Sequence, residues 1–404
     1  MISVEEALAR ITGAFGPLAA ETVGVGEALG RVLAEDVVAR VTQPPAAVSA
    51  MDGYAVRAAD VAEIPAVLTE VGEAPAGGCY EGTVEAGQTV RIFTGGPLPR
   101  GADAIVIQEN TEAEGARITV KEGVGPGTYV RAAGLDFRAG EVGMEAGRLL
   151  TARDVGLAAA MNVPWLKVRR RPRIAILSTG DELVLPGEPV GPNQLIGSNG
   201  LALGALVAVC GGEPVNLGIA KDSRESLITL AAGARGADLL VTTGGASVGK
   251  HDLVREALDE SGLELDFWKI AMRPGKPLMF GRMGDIPLLG LPGNPVSSLV
   301  CALLYLRPAI DAMLGRAPGD RPAETAVLGA ALGANDWRQD YLRAHLTFDP
   351  EGRRVATAFE RQDSSMFATL AHADCLIVRP PEAPPARAGD TVAIVPLAGG
   401  ILGV

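Results

Sequence analysis

Lysine is scarce in this 404-residue sequence, where it supplies six of the 36 basic residues. The formal net charge is −12. A strongly acidic chain is poorly suited to non-specific nucleic-acid binding, which needs a net cationic surface. Two of the six lysines, Lys269 and Lys276, lie in one short turn. An anion site, if the chain has one, is therefore expected to be formed by a small group of residues and not by a broad cationic surface.

Cysteine and histidine are also rare. The four cysteines include no C-x-x-C pair, and the three histidines are never at metal-ligand spacing. Zinc sites and disulfide frameworks are disfavoured, and buried thiols in a reducing cytoplasm fit better. The first residues lack the basic-then-apolar pattern of a signal peptide, and the longest strongly apolar run, 299–306, is far short of the ~20 residues that span a bilayer. We expect a cytoplasmic protein with neither nucleic acid nor membrane as partner.

The length exceeds what one hydrophobic core supports, so several domains are expected. The N-terminal segment has a capping box, Ser3 with Glu6, and a second helical pattern over Val25–Val38. Short alternating strands separated by glycine and proline turns follow, and they are typical of a small β unit. The predicted domains are an N-terminal helical linker domain (1–50 and 141–171), an inserted β domain (51–140), an α/β domain (172–318) and a C-terminal β domain (319–404).

The α/β domain contains apolar runs at 173–177, 213–219, 239–242 and 286–291. Helical patterns follow at 199–210, 223–234, 251–261 and 296–314. Runs without strict alternation indicate strands buried on both faces, so we predict a central doubly wound parallel sheet within an α/β multidomain fold. Ligands of such sheets bind at the carboxyl ends of the strands.

The loops after these four strands carry polar residues and glycine. Glycine, serine and threonine loops that enter a helix N-terminus present backbone N–H groups to anions. The pattern matches neither the dinucleotide G-x-G-x-x-G nor the P-loop ending G-K-[ST]. The predicted loop contacts to a phosphate-like or oxyanionic substrate are Ser178, Thr179, Gly244, Gly245, Ser247, Pro292, Pro295 and Ser297.

Three carboxylates from these loops, Glu182, Asp222 and Asp252, are expected at the same edge of the sheet. Each could instead cap a helix or face its dipole. Carboxylates gathered beside anion-binding loops would repel the substrate unless a divalent cation lay between them. Carboxylate and phosphate oxygens are the usual ligands of Mg²⁺. We therefore predict a Mg²⁺ site formed by Glu182, Asp222 and Asp252.

A turn with sequence Arg273-Pro274-Gly275-Lys276 supplies two cations. It could be a solvated basic turn, but the scarcity of lysine favours contact with an anion. Asp52, in a Met-Asp-Gly turn, is either a turn former or a functional acid. The serines of the candidate loops have no evident His-Asp partners, so a hydrolase triad is disfavoured.

Several stretches together resemble the molybdopterin molybdenumtransferase family, which comprises bacterial MoeA proteins and the E domain of gephyrin. The matching stretches run in the family's order, and they are Ser49–Ala55, Phe93–Ala104, Arg131–Asp136, Ser178–Leu183, the glycine loop to Asp252, the Pro-Gly-Lys-Pro turn, and Leu291–Ser297. The sequence departs from the pattern at Arg273, where many members have lysine; this keeps the charge but changes its geometry.

The resemblance implies a homodimer of four-domain subunits and contact with other proteins of molybdenum cofactor biosynthesis. It implies Mg²⁺-dependent insertion of molybdate into adenylylated molybdopterin with release of AMP. It places Asp52, Glu182, Asp222 and Asp252 in catalytic roles. Further substrate contacts implied by the family's site positions are Thr94, Asp136, Lys269, Arg273, Lys276, Pro292, Pro295 and Ser297, with Arg343 and Ser365 in the C-terminal domain.

Two other functions remain possible from the sequence. One is a molybdopterin adenylyltransferase, which shares the α/β type of domain, although that activity does not need the additional domains. The other is a non-catalytic scaffold of the gephyrin kind, which the retained set of acidic and cationic residues disfavours.

Overall fold

The computed structural model of the chain describes residues 1–244, 263–316 and 324–397. The N-terminal region begins with the helix Val4–Gly13, whose first turn is capped by the Ser3 hydroxyl, which accepts from the amide of Glu6 at 3.0 Å. The helix Ala152–Ala160 starts with a second capping box, formed by Thr151 and Asp154. The strands of this region are Ala20–Gly24, Val37–Val38, Val142–Met144 and Trp165–Arg169.

The helix predicted over Val25–Val38 is wrong. The stretch has one short 3₁₀ turn, Val25–Glu27, and then runs in extended bridges. Val32 pairs with Leu149 and Leu33 pairs with Val168, so the apolar residues at helical spacing are buried by neighbouring strands. Tertiary pairing here overrides the local helical period. The N-terminal region is consequently less helical than the sequence suggests.

The inserted region forms a six-stranded sheet. The strand order is 104–107, 53–56, 88–92, 66–74, 117–120, 111–114. Its strands are Gly53–Val56, Ala66–Ala74, Gln88–Ile92, Ala104–Ile107, Thr111–Glu114 and Arg117–Val120, with a separate pair Val48–Ser49 and Val130–Arg131 and 3₁₀ turns Ala58–Val61 and Gln108–Asn110. Gly53 and Tyr54 lie in the central strands, which places the Asp52 loop at one end of the sheet.

The central sheet has six strands in the order 213–220, 173–179, 239–243, 286–291, 279–283, 263–268. Its strands are Arg173–Thr179, Glu213–Ala220, Leu239–Thr243, Leu263–Trp268, Met279–Met283 and Ile286–Leu291, beside a small pair Leu183–Val184 and Leu195–Ile196. Its helices are Asn199–Val209, Arg224–Ala231, Pro295–Cys301, the π-helical Ala302–Leu306 and Arg307–Met313, with a 3₁₀ turn Ala232–Ala234.

The prediction of an all-parallel sheet needs correction. The four strands predicted from the apolar runs are mutually parallel. The other two, 263–268 and 279–283, are antiparallel additions at one edge. Strands 279–283 and 286–291 are joined by the two residues Gly284 and Asp285, and a connection this short permits only antiparallel pairing. The sheet is mixed.

Both faces of the central sheet are covered, as predicted for strands with uninterrupted apolar runs. Ile174 and Ile176 face one hydrophobic cluster, and Ala175 and Leu177 face another. In the described part of the chain, one helical stretch, Pro295–Met313, is long and apolar enough to cross a membrane. It belongs to the first cluster, with Val300 and Tyr305 fully buried, so it is a core helix of this domain.

The C-terminal region is a closed barrel. Strand 375–379 pairs with both 391–396 and 339–348, and this completes the ring. Its strands are Glu324–Leu328, Gln339–Phe348, Arg354–Ala358, Cys375–Arg379 and Thr391–Pro396, with the helix Phe367–Ala371. A two-residue strand from the α/β region, Met272–Arg273, pairs in parallel with Gln339 and Asp340. This pairing attaches the barrel to the α/β region.

Candidate active site at the strand ends

A cavity of about 1100 Å³ lies at the carboxyl ends of the parallel strands, which is where ligands bind in such sheets. The residues that line it come from the strand-end loops, the turn Arg273–Lys276 and the barrel turn 362–365. Eleven of the residues predicted as site residues line this cavity: Ser178, Thr179, Glu182, Asp222, Gly244, Arg273, Lys276, Pro292, Pro295, Ser297 and Ser365.

The acidic part of the site, here called the acidic wall, consists of Glu182 and Asp222, which line the cavity, and Asp181, which lies beside them without lining it. Burial raises the pKa of Asp222, and the neighbouring carboxylates of Asp181 and Glu182 raise it further. A hydrogen bond from the Asp181 backbone to the Asp222 carboxylate partly opposes this rise in pKa. Separately, one Asp181 oxygen accepts from the amide of Asp222 at 3.0 Å. Among the described residues, no group of three His, Cys, Asp or Glu side chains is arranged to hold a metal ion. Asp252, the third predicted ligand, lies outside the described residues, as do Gly245 and Ser247.

The start of the glycine loop lies against the first strand. Gly244 has φ +96°, and a side chain there would collide with the carbonyl oxygen of Thr179. Glycine is therefore required at this position. The hydroxyl of Thr179 is buried at the same contact and has no hydrogen-bond partner within the part of the chain that is described.

A polar network holds the ends of two strands together. The side-chain amide of Asn199 donates to the Thr243 hydroxyl at 3.0 Å and to the Gly293 carbonyl at 2.7 Å. The Thr243 hydroxyl also lies 3.2 Å from the Ser298 hydroxyl and 3.2 Å from the carbonyl of Pro292. Buried networks of this kind fix geometry when all their members are paired. Asn199 lines the cavity and was not found from the sequence.

The fourth strand leads directly into a helix whose N-terminus faces the cavity. Asn294 is the N-cap residue and Pro295 the first helical residue, a position that suits proline because no amide hydrogen is needed there. The Asn294 side-chain amide donates to the Ser364 hydroxyl at 2.7 Å, and the amide of Val296 donates to the Ser364 carbonyl at 3.2 Å. The barrel turn is thus bonded to the helix start.

The cationic turn, Arg273–Lys276, lines the same cavity as the strand-end loops. Gly275 has φ +112°, and a side chain there would overlap the Cys301 sulfur of the core helix. The Cys301 thiol lies 3.7 Å from the Gly275 carbonyl, and burial raises its pKa above the usual range. The turn therefore rests directly on the hydrophobic core.

Arg338 also lines the cavity, and sequence reasoning missed it. It donates to Asp336 at 2.6 Å, and this pairing lowers the pKa of Asp336 to about 2. Arg343, which the family resemblance suggested instead, is 1% exposed and does not line the cavity. Its guanidinium bonds Gln362 and the carbonyl of Asp363, so it holds the 362–366 turn from behind. Arg338 and Arg343 are close together in the sequence, and the direction of each side chain decides which of them lines the cavity.

Four other predicted residues are not brought to this cavity. The Lys269 ammonium lies 3.8 Å from the centre of the Trp268 ring. Asp52 and Thr94 are together in the inserted region, where one Asp52 oxygen accepts from the Thr94 amide at 2.7 Å and from its hydroxyl at 2.8 Å. These hydrogen bonds lower the pKa of Asp52. Asp136 lies in the same inserted region, and neither it nor the Asp52–Thr94 pair lines the cavity.

Comparison with known proteins gives consistent matches along the chain. Family models match for the MoeA N-terminal region (domain I and II) at residues 2–162, the probable molybdopterin binding domain at 175–312, and the MoeA C-terminal region (domain IV) at 325–397. A molybdopterin molybdenumtransferase of Nostoc sp. is 37% identical and covers 89% of this chain and 85% of the relative. One of Haemophilus influenzae is 33% identical and covers 94% of each.

The chain belongs to the molybdopterin molybdenumtransferase family. The fold agrees with this: the solved structure of a molybdopterin biosynthesis MoeA protein from Pyrococcus horikosii has a TM-score of 0.84 and 30% identity, and covers 98% of this chain and 99% of that one. The matches extend across the N-terminal and C-terminal regions as well as the α/β region. The family assignment therefore applies to the whole chain, including the barrel that supplies Arg338 and Ser365.

Proposed function

We propose that this protein inserts molybdate into adenylylated molybdopterin and releases AMP, with Mg²⁺ as cofactor. The observation that carries the proposal is that one cavity is lined by the strand-end loops, by carboxylates and by cations. The two substrates need such a combination. Molybdate is a small dianion, and adenylylated molybdopterin carries a phosphoanhydride between a pterin and a nucleotide. The family's named activity supports the same reaction.

The strand-end loops are suited to the phosphoanhydride. The helix start offers the backbone N–H of Ser297 at the positive end of a helix dipole, since Pro295 has no amide hydrogen and the Val296 amide is bonded to Ser364. The Thr179 hydroxyl is buried without a protein partner in the described residues, and an oxygen of a bound phosphate would satisfy it. We assign phosphate binding to Ser178, Thr179, Gly244 and the 292–297 loop.

The cationic side is suited to molybdate. Arg273, Lys276 and Arg338 line it, and Ser365 adds a hydroxyl. Arginine guanidinium groups present donors in a fixed fork that matches oxyanions, whereas lysine acts as a point charge. We assign the orientation of molybdate to these four residues. Arg343 has a supporting role behind the 362–366 turn.

The donor set of the acidic wall suits Mg²⁺. Glu182 and Asp222 would hold it, together with Asp252, and the raised pKa of Asp222 indicates that this group of carboxylates lacks sufficient positive charge. When bound, Mg²⁺ would neutralise phosphate charge and polarise the phosphoryl group. The residues of the chain itself bind and orient the two substrates and exclude water from the anhydride.

A homodimer is part of the proposal. Asp52, Thr94 and Asp136 are expected to be functional from the family resemblance but do not line the cavity of their own chain. Exposed apolar residues flank them: Met51 is 41% exposed and Leu135 is 64% exposed. Sedimentation analysis should give twice the monomer mass, and a monomer at working concentration would contradict this. Three further points remain predictions: the four-domain boundaries given above, contact with other proteins of cofactor biosynthesis, and a cytoplasmic location. The cytoplasmic location is supported by the four unpaired thiols.

The deciding experiment measures AMP release from adenylylated molybdopterin by the purified protein. Release should require both molybdate and Mg²⁺ and should leave a product that activates an apo-molybdoenzyme. ATP consumption with molybdopterin would instead indicate an adenylyltransferase. Absence of either turnover, with partner binding unchanged by Glu182→Ala, would indicate a scaffold.

A further inference from the structure

The cationic turn belongs to the α/β region by chain order but is held by the C-terminal barrel. Met272 and Arg273 pair in parallel with Gln339 and Asp340 through main-chain hydrogen bonds. The amide of Gln339 also donates to the carbonyl of Ala271 at 3.0 Å. The position of the turn relative to the strand-end loops therefore depends on where the barrel lies.

Side chains extend this attachment. The Nε atom of Arg273 donates to Asp340 Oδ2 at 3.0 Å, and its NH2 group bonds the same oxygen. Its NH1 group lies 3.4 Å from Asp336 Oδ2. Asp336 also accepts from Arg338, so one carboxylate joins the two arginines that line the cavity.

Burial differs sharply between the two partners. The Asp340 side chain is 4% exposed, and the Arg273 side chain is 48% exposed. The second oxygen of Asp340, Oδ1, is buried and has no hydrogen-bond partner within the described residues. A buried carboxylate is stable only when a positive group compensates it. Within the described part of the chain, Arg273 is the residue that forms an ion pair with Asp340.

We propose that Asp340 is a positioning residue for oxyanion binding: it holds Arg273 from the barrel side so that the remaining donors of the guanidinium face the cavity. This inference rests on the proposed function. Arginine suits the role because its nitrogens can bond a carboxylate on one side and an anion on the other. Asp340 itself does not line the cavity. It acts on the substrate only through Arg273.

The test compares Asp340→Asn with a matched control, Glu324→Gln, which breaks an ion pair to Arg354 in the same barrel away from the cavity. Both are made in the full chain and assayed for molybdate-dependent AMP release, for molybdate binding by calorimetry and for thermal unfolding. Asp340→Asn should raise the KM for molybdate about tenfold, as is usual when the partner of a binding group is removed, with kcat within about twofold. Glu324→Gln should leave both parameters unchanged.

A double variant separates positioning from general loosening. Arg273→Ala and Arg273→Ala/Asp340→Asn should have the same molybdate affinity if Asp340 acts only through Arg273. Additive losses would overturn the proposal, and so would an Asp340→Asn variant that unfolds at lower temperature but keeps the wild-type KM. If Asp340→Asn does not fold, Asp336→Asn replaces it, since that side chain is 35% exposed; an unchanged KM there also overturns the proposal. If the proposed reaction is wrong, the wild-type protein itself will not release AMP in response to molybdate. The calorimetric measurement of molybdate binding would still test the positioning role of Asp340.

Discussion

Two acidic groups lie beside the cavity, one bonded to its lining arginines and one that includes the lining residues Glu182 and Asp222, and they differ in what neutralises them. On the barrel side, Asp336 and Asp340 are paired with Arg273 and Arg338. On the strand-end side, Asp222 is surrounded by Asp181 and Glu182, and its pKa is raised. The first group carries its own counter-charges, whereas the second requires them from outside. The proposed binding of both a cation and an oxyanion in a single cavity requires such a difference.

The largest expected effect comes from the acidic wall. Glu182→Gln should reduce Mg²⁺-dependent AMP release by about a hundredfold or more, because a metal ligand is lost where phosphate charge must be neutralised. A Mg²⁺ titration of the initial rate measures this. Glu188→Gln is the matched control, since Glu188 caps the Leu185 amide nearby but does not line the cavity. Equal rates for Glu182→Gln and the wild type would show that the acidic wall takes no part in the mechanism.

Arg338→Ala should have the next largest effect. We expect the KM for molybdate to rise roughly ten- to thirtyfold with a smaller change in kcat, because a guanidinium that contacts an oxyanion is removed. Steady-state kinetics at varied molybdate concentration measures it. Arg353→Ala, which breaks a solvent-exposed pair with Asp349 in the same barrel, should change neither parameter. If Arg343→Ala rather than Arg338→Ala selectively weakened molybdate binding, the assignment of the two arginines would be reversed.

Removing a charge from the acidic wall should stabilise the protein without Mg²⁺. Since the folded-state pKa of Asp222 is raised, its favourable contribution is present below the unfolded pKa and is lost as the pH rises through the folded value. At pH 7 the ionised group is therefore unfavourable. Asp222→Asn should increase the free energy of unfolding by about 0.5 kcal/mol or less, because solvent screens this exposed site. Thermal unfolding of the metal-free protein tests this, and a lower melting temperature would contradict it.

Asp222 and Asp336 should also titrate in a fixed order, although this is the smallest effect. The pKa of Asp336 is lowered to about 2, so its contribution to stability is present above the unfolded pKa and is lost as the pH falls through about 2. Asp222 should bind its proton at higher pH than Asp336 does. Carboxyl carbon chemical shifts followed by NMR between pH 6 and 2 would show the order. Protonation of Asp336 first would remove the contrast between the walls.

Local sequence was enough to predict the strand-end part of the site. Thr179 ends one buried strand, Glu182 lies in the loop after it and Gly244 follows the next strand of the sheet, and parallel strands necessarily bring such residues to one edge. Asn199 was missed because its bonds to Thr243 and Gly293 are visible only when the strand ends meet. Arg338 was missed because it lies just before the strand Gln339–Phe348, and its place at the cavity depends on how the barrel packs against the α/β region. Arg343 lies within that strand, where it is buried and does not line the cavity.

The errors in the fold prediction have a related origin. The apolar spacing of Val25–Val38 fits a helix when read alone, but those residues are paired with strands more than a hundred positions away. The antiparallel edge of the central sheet depends on a two-residue connection at Gly284 and Asp285. In both cases, contacts between distant residues or the geometry of one short turn outweighed the local pattern.

Because Met272 and Arg273 contribute a short strand to the barrel's edge, the barrel cannot be treated as a removable appendage. A truncated chain ending near residue 316 would leave the main-chain groups of that segment without their partners and the guanidinium without its anchor. Attempts to isolate a minimal catalytic fragment from the α/β region should therefore retain the C-terminal strands.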